Sequence, residues 1–183
     1  MSYIFGILTG WVLAKRIFIK DDNLKEKFDD YITYIILGII IGGRLGYVIF
    51  YNLDYYLENI FEIFKIWNGG MSFHGGLLGV IAMSIWFAKK HNHNSYIYLD
   101  IVSSVAPIGI FFGRIANFIN SELYGKETTL PWGIKFEKID EIYRHPSQLY
   151  EAFFEGLLLF FILIYFHKRS SAKNPGFISG IFL

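Results

Sequence analysis

The residues best equipped for chemistry lie in Gly113-Arg114-Ile115-Ala116-Asn117-Phe118-Ile119-Asn120-Ser121-Glu122-Leu123-Tyr124-Gly125. Arg114 is the only charge in the apolar run 101–119, and a run of that length and hydrophobicity is a membrane span before it is anything else. A guanidinium on a lipid-facing span costs at least about 2.5 kcal/mol, so such a residue faces a polar interior and marks a substrate or ion path. On a helix Arg114, Asn117 and Ser121 fall at i, i+3 and i+7, on one face. Asn120, Glu122 and Gly125 follow where the span meets water. A permanent cation deep in the wall, leading to amides, a carboxylate and a glycine at the mouth, suits an amphiphile with an anionic head.

Other polar residues lie at membrane depth. Arg44 stands among Gly42, Gly43, Gly46 and Tyr47, with two readings open: an ion pair with Glu151 or Glu155, or contact with a ligand. Gln148, Glu151 and Glu155 form an i, i+3, i+7 polar stripe whose carboxylates need partners, and Arg44 and Arg114 are the cations at that depth. That pattern predicts a polar core shared by the second, fourth and fifth spans, either a charge-balanced brace or a cavity. His74, in Gly70-Met71-Ser72-Phe73-His74-Gly75-Gly76, is a packing histidine or a proton-transfer group near the outer end of its span. Ser147 is placed to cap its helix, and Asp100 is read as a cap or interface residue. His91 and His93 lack a third ligand and carry no metal in this reading.

Apolar runs at about 1–14, 31–51, 71–88, 101–119 and 149–166, with another beginning at 176, must position these groups. They predict an all-α, polytopic helical membrane protein with about five full or near-full spans and the start of a sixth. Its residues 1–183 are read as one bundle, a fragment whose first and last runs look cut. Gly38, Gly42 and Gly46 recur every four residues and predict close packing of a neighbouring helix. The basic residues sort the loops. Ten (Lys15, Arg16, Lys20, Lys25, Lys27, Lys89, Lys90, Lys168, Arg169, Lys173) fall on one side and five (Lys65, Lys126, Lys135, Lys138, Arg144) on the other, beside eight acids. By the positive-inside rule the ten are cytoplasmic, and the loops at about 52–70 and 120–146 face outward.

Composition sets the outer bounds. The 183 residues are 54% hydrophobic and 20% aromatic with net charge +1, which argues for an integral membrane protein and against a nucleic-acid partner. Cysteine is absent, removing disulfides, thiolate metal sites and a catalytic cysteine. Nor is there a serine-hydrolase elbow, an HExxH metal helix or a Walker loop. No cofactor or metal is expected. What remains is a phosphate-sized anion site at membrane depth with a candidate base and an outward opening.

The run 113–125 resembles the signature of bacterial phosphatidylglycerol:prolipoprotein diacylglyceryl transferases. Gly42-Gly43-Arg44-Leu45-Gly46-Tyr47, Gly70-Met71-Ser72-Phe73-His74-Gly75-Gly76 and Arg144-His145-Pro146-Ser147-Gln148-Leu149-Tyr150-Glu151 are similar to three further blocks of that family in the same order. The resemblance implies an inner-membrane enzyme moving a diacylglyceryl group from phosphatidylglycerol to the lipobox cysteine in a preprolipoprotein signal peptide, with glycerol phosphate released. It implies Arg114, Arg44, Arg144 and Tyr47 as phosphatidylglycerol contacts. Asn117, Asn120, Glu122 and Gly125 would shape the catalytic mouth, with His74 as candidate base. Ser121 stands where the family more often has glycine. Family members also carry a polar aromatic segment before the first span and an Arg- and Glu-bearing helix after the last run, so these 183 residues alone are expected to have little transferase activity. The competing readings are an anion-transporting membrane protein and another phospholipid head-group enzyme.

Overall fold

The computed structural model describes residues 2–170 and 174–183; Lys173, counted above among the basic residues, lies outside them. Helices dominate: α1 (Ser2–Leu13), α2 (Asp22–Tyr51), α3 (Leu53–Glu58), α4 (Phe73–Lys90), α5 (Ser95–Asn120), α6 (Ser147–Glu151), α7 (Leu159–Ser170) and α8 (Phe177–Phe182). The loop 120–146 holds a small antiparallel pair, β1 (Ile134–Lys135) and β2 (Tyr143–Arg144). Among the described residues, three helical stretches are long and apolar enough to cross a membrane: Asp22–Tyr51, Ser95–Asn120 and Ser147–Arg169. α4, with 18 residues ending in Lys89-Lys90, is about 27 Å long at about 1.5 Å per residue. The chain resolves into two compact units, 21–99 and 1–20 with 100–183.

In the 21–99 unit, α2 starts where Asp21 accepts from the Asn23 and Leu24 amides at 2.8 and 3.4 Å, capping free helix donors. The glycine stripe then brings α2 against α4. A Cβ on Gly38 would lie 2.7 Å from the Gly79 carbonyl oxygen, and one on Gly46 would lie 2.7 Å from Gly75 Cα. Gly42 faces the Gly75 carbonyl more tightly still. With no solvent-driven hydrophobic term between spans, contact of this kind is what associates them. A flank of α2 about 100° round from that stripe leaves Leu37, Ile41, Leu45 and Ile49 exposed, the apolar surface a lipid solvent covers. At the far end Tyr31 is fully buried, its hydroxyl 2.7 Å from Ser84 Oγ and its ring 4.7 Å from that of Tyr98. His93 Nδ1 shares a hydrogen bond with the Tyr98 hydroxyl at 2.7 Å, and the His91 ring lies 4.4 Å from that of Phe87. Burial first, then Lys27 and Lys90, holds the His91 imidazole below its ordinary pKa.

In the other unit, α1 and α7 pack on α5 around Phe18, Ile108 and Phe160, with Leu13, Val105, Phe112 and Ile164 closing the cluster. Pro107 inside α5 deletes one backbone donor without ending the helix. Asp100 is a cap, but of a distant helix. Its buried carboxylate accepts from the Gly176 and Ser179 amides at 2.8 Å each and from Ser179 Oγ at 2.7 Å, satisfying the start of α8. Between α6 and α7 the helix widens into a π segment over Ala152–Leu158, so the stripe of Gln148, Glu151 and Glu155 does not follow the α period.

Candidate active site

Arg114 lies in the sixth turn of α5 and pairs with the helix opposite it in its own unit. Its Nε is 2.8 Å from Glu151 Oε2, and NH2 is 3.7 Å from Glu155 Oε2. The three side chains are 29%, 34% and 54% exposed. Glu151 Oε2 is buried and receives no aligned hydrogen bond among the described residues, so charge attraction holds the contact. The π segment carries Glu155, and π turns recur at functional sites. The expected partnership of a carboxylate stripe with a span arginine is present for Arg114. Its NH1 makes no hydrogen bond among the described residues.

The mouth begins at the end of α5. Glu122 N donates to Asn117 O at 2.8 Å and Ser121 N to Phe118 O at 3.1 Å, the two bonds of a Schellman cap. That cap needs a left-handed residue just past the helix, and Ser121 supplies it with φ 62°; Leu123 follows with φ 51°. Two non-glycine residues in this region store strain. The strained loop is stitched to the segment before α6. Gly125 N donates to His145 O and His145 N to Lys126 O, each at 2.9 Å, and Thr128 N to Tyr143 O at 2.9 Å. A Cβ on Gly125 would lie 2.7 Å from His145 O, so the glycine is required by backbone approach. Gln148 Nε2 donates to Glu122 O at 2.6 Å.

Ser147, expected to cap its own helix, makes no side-chain cap there. Its hydroxyl donates to Leu123 O at 2.9 Å, because the left-handed turn at Leu123 presents a carbonyl with no other partner among the described residues. By contrast, the side chains of Asn117, Asn120 and Glu122 have no hydrogen bond or ion pair within the described residues. A groove of about 300 Å³ opens beside them, lined by Phe118, Ile119, Ser121, Ile134, Phe136 and Lys138. Arg144 closes the far side of the loop. It donates from NH2 to Asp140 Oδ2 at 2.6 Å and stacks on the Tyr124 ring at 5.0 Å. That hydrogen bond holds the Asp140 carboxyl below its ordinary pKa and raises that of Arg144. Sequence reasoning left Asp140 and Tyr124 out of the site. The i, i+4 spacing of Asp140 and Arg144 was the available signal.

Arg44, Tyr47 and His74 belong to the 21–99 unit. Arg44 is buried, and its guanidinium is bonded wholly to backbone carbonyls: Nε to Ile63 O at 2.8 Å, NH1 to Gly69 O at 2.5 Å and Gly70 O at 3.2 Å, NH2 to Glu62 O at 2.6 Å and Lys65 O at 3.4 Å. This is neither partner considered from sequence. Glu151 and Glu155 carry Arg114 instead. The Tyr47 hydroxyl accepts from Asn52 Nδ2 at 2.9 Å, and its ring stacks on Tyr51 at 5.6 Å. His74, second residue of α4, is exposed, with the Phe73 ring 5.6 Å away. The glycines around it serve the helix contact: Gly75 meets Gly42 and Gly46.

These features define a helical membrane protein in which an arginine, partly committed to two carboxylates, leads to an exposed polar mouth. The model of the family described as prolipoprotein diacylglyceryl transferase matches residues 1–183, and the chain belongs to that family. It is 52% identical over 186 aligned positions to the phosphatidylglycerol–prolipoprotein diacylglyceryl transferase of Rickettsia bellii (strain OSU 85-389), the match covering 100% of this chain and 71% of the relative. The proteins of the same name from Rickettsia felis and Nitratidesulfovibrio vulgaris (strain DP4) are 51% and 50% identical, covered over 72% and 69% of their lengths.

Proposed function

We propose that this chain transfers the diacylglyceryl group of phosphatidylglycerol to the thiol of the lipobox cysteine of a preprolipoprotein, in the bacterial inner membrane. In this reading about five spans and the start of a sixth form one bundle, with loops 52–70 and 120–146 on the outer side. The sulfur forms a bond to the glyceryl carbon that carries the phosphate ester; the carbon–oxygen bond breaks, and glycerol phosphate leaves with the electron pair. A general base takes the thiol proton, and His74 is the candidate for that role by its chemistry. Arg114 holds the lipid phosphate and stabilises its departure, since a guanidinium fork matches phosphate oxygens. Asn117, Asn120 and Glu122 contact the substrates at a mouth whose backbone Gly125 and Gln148 fix. Arg144 and Tyr47 are further phosphatidylglycerol contacts in this reading. No cofactor enters the reaction.

The observation that carries this reading is the division of labour on Arg114: Glu151 engages Nε while NH1 makes no hydrogen bond among the described residues. The test is lipidation of a lipobox peptide in phosphatidylglycerol micelles by the full-length protein, with product analysis. Arg114→Ala should lose about 100-fold or more in kcat/KM, as expected for removal of an electrostatic stabiliser. Thioether-linked diacylglyceryl peptide should be the product. Unchanged turnover in that variant would remove the role of Arg114, and free diacylglycerol would point to a head-group hydrolase.

A further inference from the structure

Arg44 was a natural candidate for a second phosphate contact, and its geometry argues for a different task. A guanidinium has five N–H groups. Arg44 donates to five carbonyls, those of Glu62, Ile63, Lys65, Gly69 and Gly70. The side chain is 4% exposed, and the Tyr56 ring lies 5.1 Å from its guanidinium carbon. No N–H is left over for an anion. A buried cation is tolerable when carbonyl dipoles surround it; Glu62 O and Lys65 O already accept from Lys65 N and Asn68 N in their own turns, so Arg44 takes a second lone pair there and ties those turns to Gly69 and Gly70.

What the clamp holds leads directly to His74. Gly69 and Gly70 both have φ 81°, and a Cβ on Gly70 would lie 2.5 Å from the Tyr47 ring and 3.0 Å from Arg44 NH1. Two residues on, Ser72 N donates to Gly43 O at 2.8 Å, and Ser72 Oγ caps α4 by accepting from Gly75 N at 3.2 Å. Arg44, Gly43 and the Gly42–Gly46 stripe thus fix the path from residue 62 to the first turn of α4. We infer that Arg44 is a positioning residue: it pins the 62–70 loop to α2 and thereby sets where the His74 imidazole meets the substrate, without touching the lipid phosphate. This rests on the reading of His74 given above.

The experiment compares Arg44→Lys, His74→Gln and the double variant in the same lipidation assay, varying phosphatidylglycerol and peptide separately. Backbone hydrogen exchange is followed in parallel. Lysine keeps the charge but presents three donors from one point, so the loop loses its five-point hold while the buried charge is kept. The expected result is a kcat lower by about ten- to a hundredfold, the scale of a misplaced catalytic group. KM for phosphatidylglycerol should stay within about twofold, and exchange should speed up in 62–72 while the α2 and α4 interiors stay protected. In the His74→Gln background the substitution should cost nothing further, because residues acting as one unit are not additive. A raised KM for phosphatidylglycerol with kcat held would overturn the inference in favour of a phosphate contact. Equal losses in both backgrounds would reduce Arg44 to general stability, and an unchanged kcat would also end the idea. If His74→Gln turns over normally while Arg44→Lys is slow, the base assignment fails and Arg44 acts elsewhere, which overturns the inference too.

Discussion

Glu155 offers the sharpest test of how Arg114 meets an anionic lipid. Two carboxylates face one guanidinium, but unequally: Glu151 is 2.8 Å from Nε, whereas Glu155 is 3.7 Å from NH2 and 54% exposed. Glu151 holds the Nε side and so fixes the direction of the fork. Glu155 adds little orientation at that distance, yet its charge competes with an arriving phosphate. At 3.7 Å two unit charges interact by about 1.1 kcal/mol in a water-like dielectric of about 80. Side-chain freedom and screening roughly halve that for an exposed pair, leaving about 0.5 kcal/mol, or about a twofold effect. Glu155→Gln should therefore lower KM for phosphatidylglycerol by about twofold with kcat unchanged, measured by initial lipidation rates as phosphatidylglycerol is diluted into a zwitterionic lipid. Raising the salt concentration should shrink the difference. Glu151→Gln should behave differently, lowering kcat because the guanidinium loses its anchor. If Glu155→Gln instead raises KM, the carboxylate assists binding, and the competition argument is wrong.

Two further outcomes test the mouth. Ser121→Gly should raise the melting temperature, since glycine occupies the left-handed cap position without the penalty of about 1 kcal/mol that a side chain incurs there; an unchanged or lower value would mean that the serine side chain makes up the difference. The Asp140–Arg144 pair should respond to acid. The Asp140 carboxyl lies below its ordinary value of 3.8 because Arg144 hydrogen-bonds its charged form, so its contribution is fully present above that value and lost as pH falls through the depressed one. Pepsin nicking of the 120–146 loop should therefore accelerate below about pH 3.8 in the native protein. In Asp140→Asn that step should be missing, the loop being already loosened at higher pH.

What the sequence made legible follows from where alternatives are expensive. A guanidinium inside an apolar run has few ways to be satisfied, so the pairing of a span arginine with the Glu151–Glu155 stripe followed from charge alone; the ion pair was read for Arg44, and it belongs to Arg114. The glycine recurrence at 38, 42 and 46 was equally legible, because only a close helix neighbour gives such spacing a purpose. Where cheap local partners abound, pattern reading had no purchase. Ser147 sits at a helix start and reads as a cap, but the strained turn at Leu123 supplies a carbonyl that takes its hydroxyl. Asp100 reads as a cap, yet nothing in its neighbourhood names α8, 76 residues away at Gly176, as the helix it closes. The widening at Ala152–Leu158 leaves no composition signal.

Arg44 and Arg114 carry this contrast into function. Both are span arginines amid small or apolar residues, and sequence treats them alike. Five backbone carbonyls answer every donor of one, whereas the other meets two carboxylates and keeps NH1 without a hydrogen bond among the described residues. Neutral carbonyls are invisible to charge counting, so a cation satisfied by them resembles one awaiting a ligand until the chain path is known. For recognising a phosphate, the number of uncommitted N–H groups decides the matter, because a fork already bonded must break those bonds before it binds anything new. On that criterion the lipid's charge goes to Arg114, and the substitution that separates the two arginines is the same in both: lysine should raise KM for phosphatidylglycerol at position 114 and lower kcat at position 44.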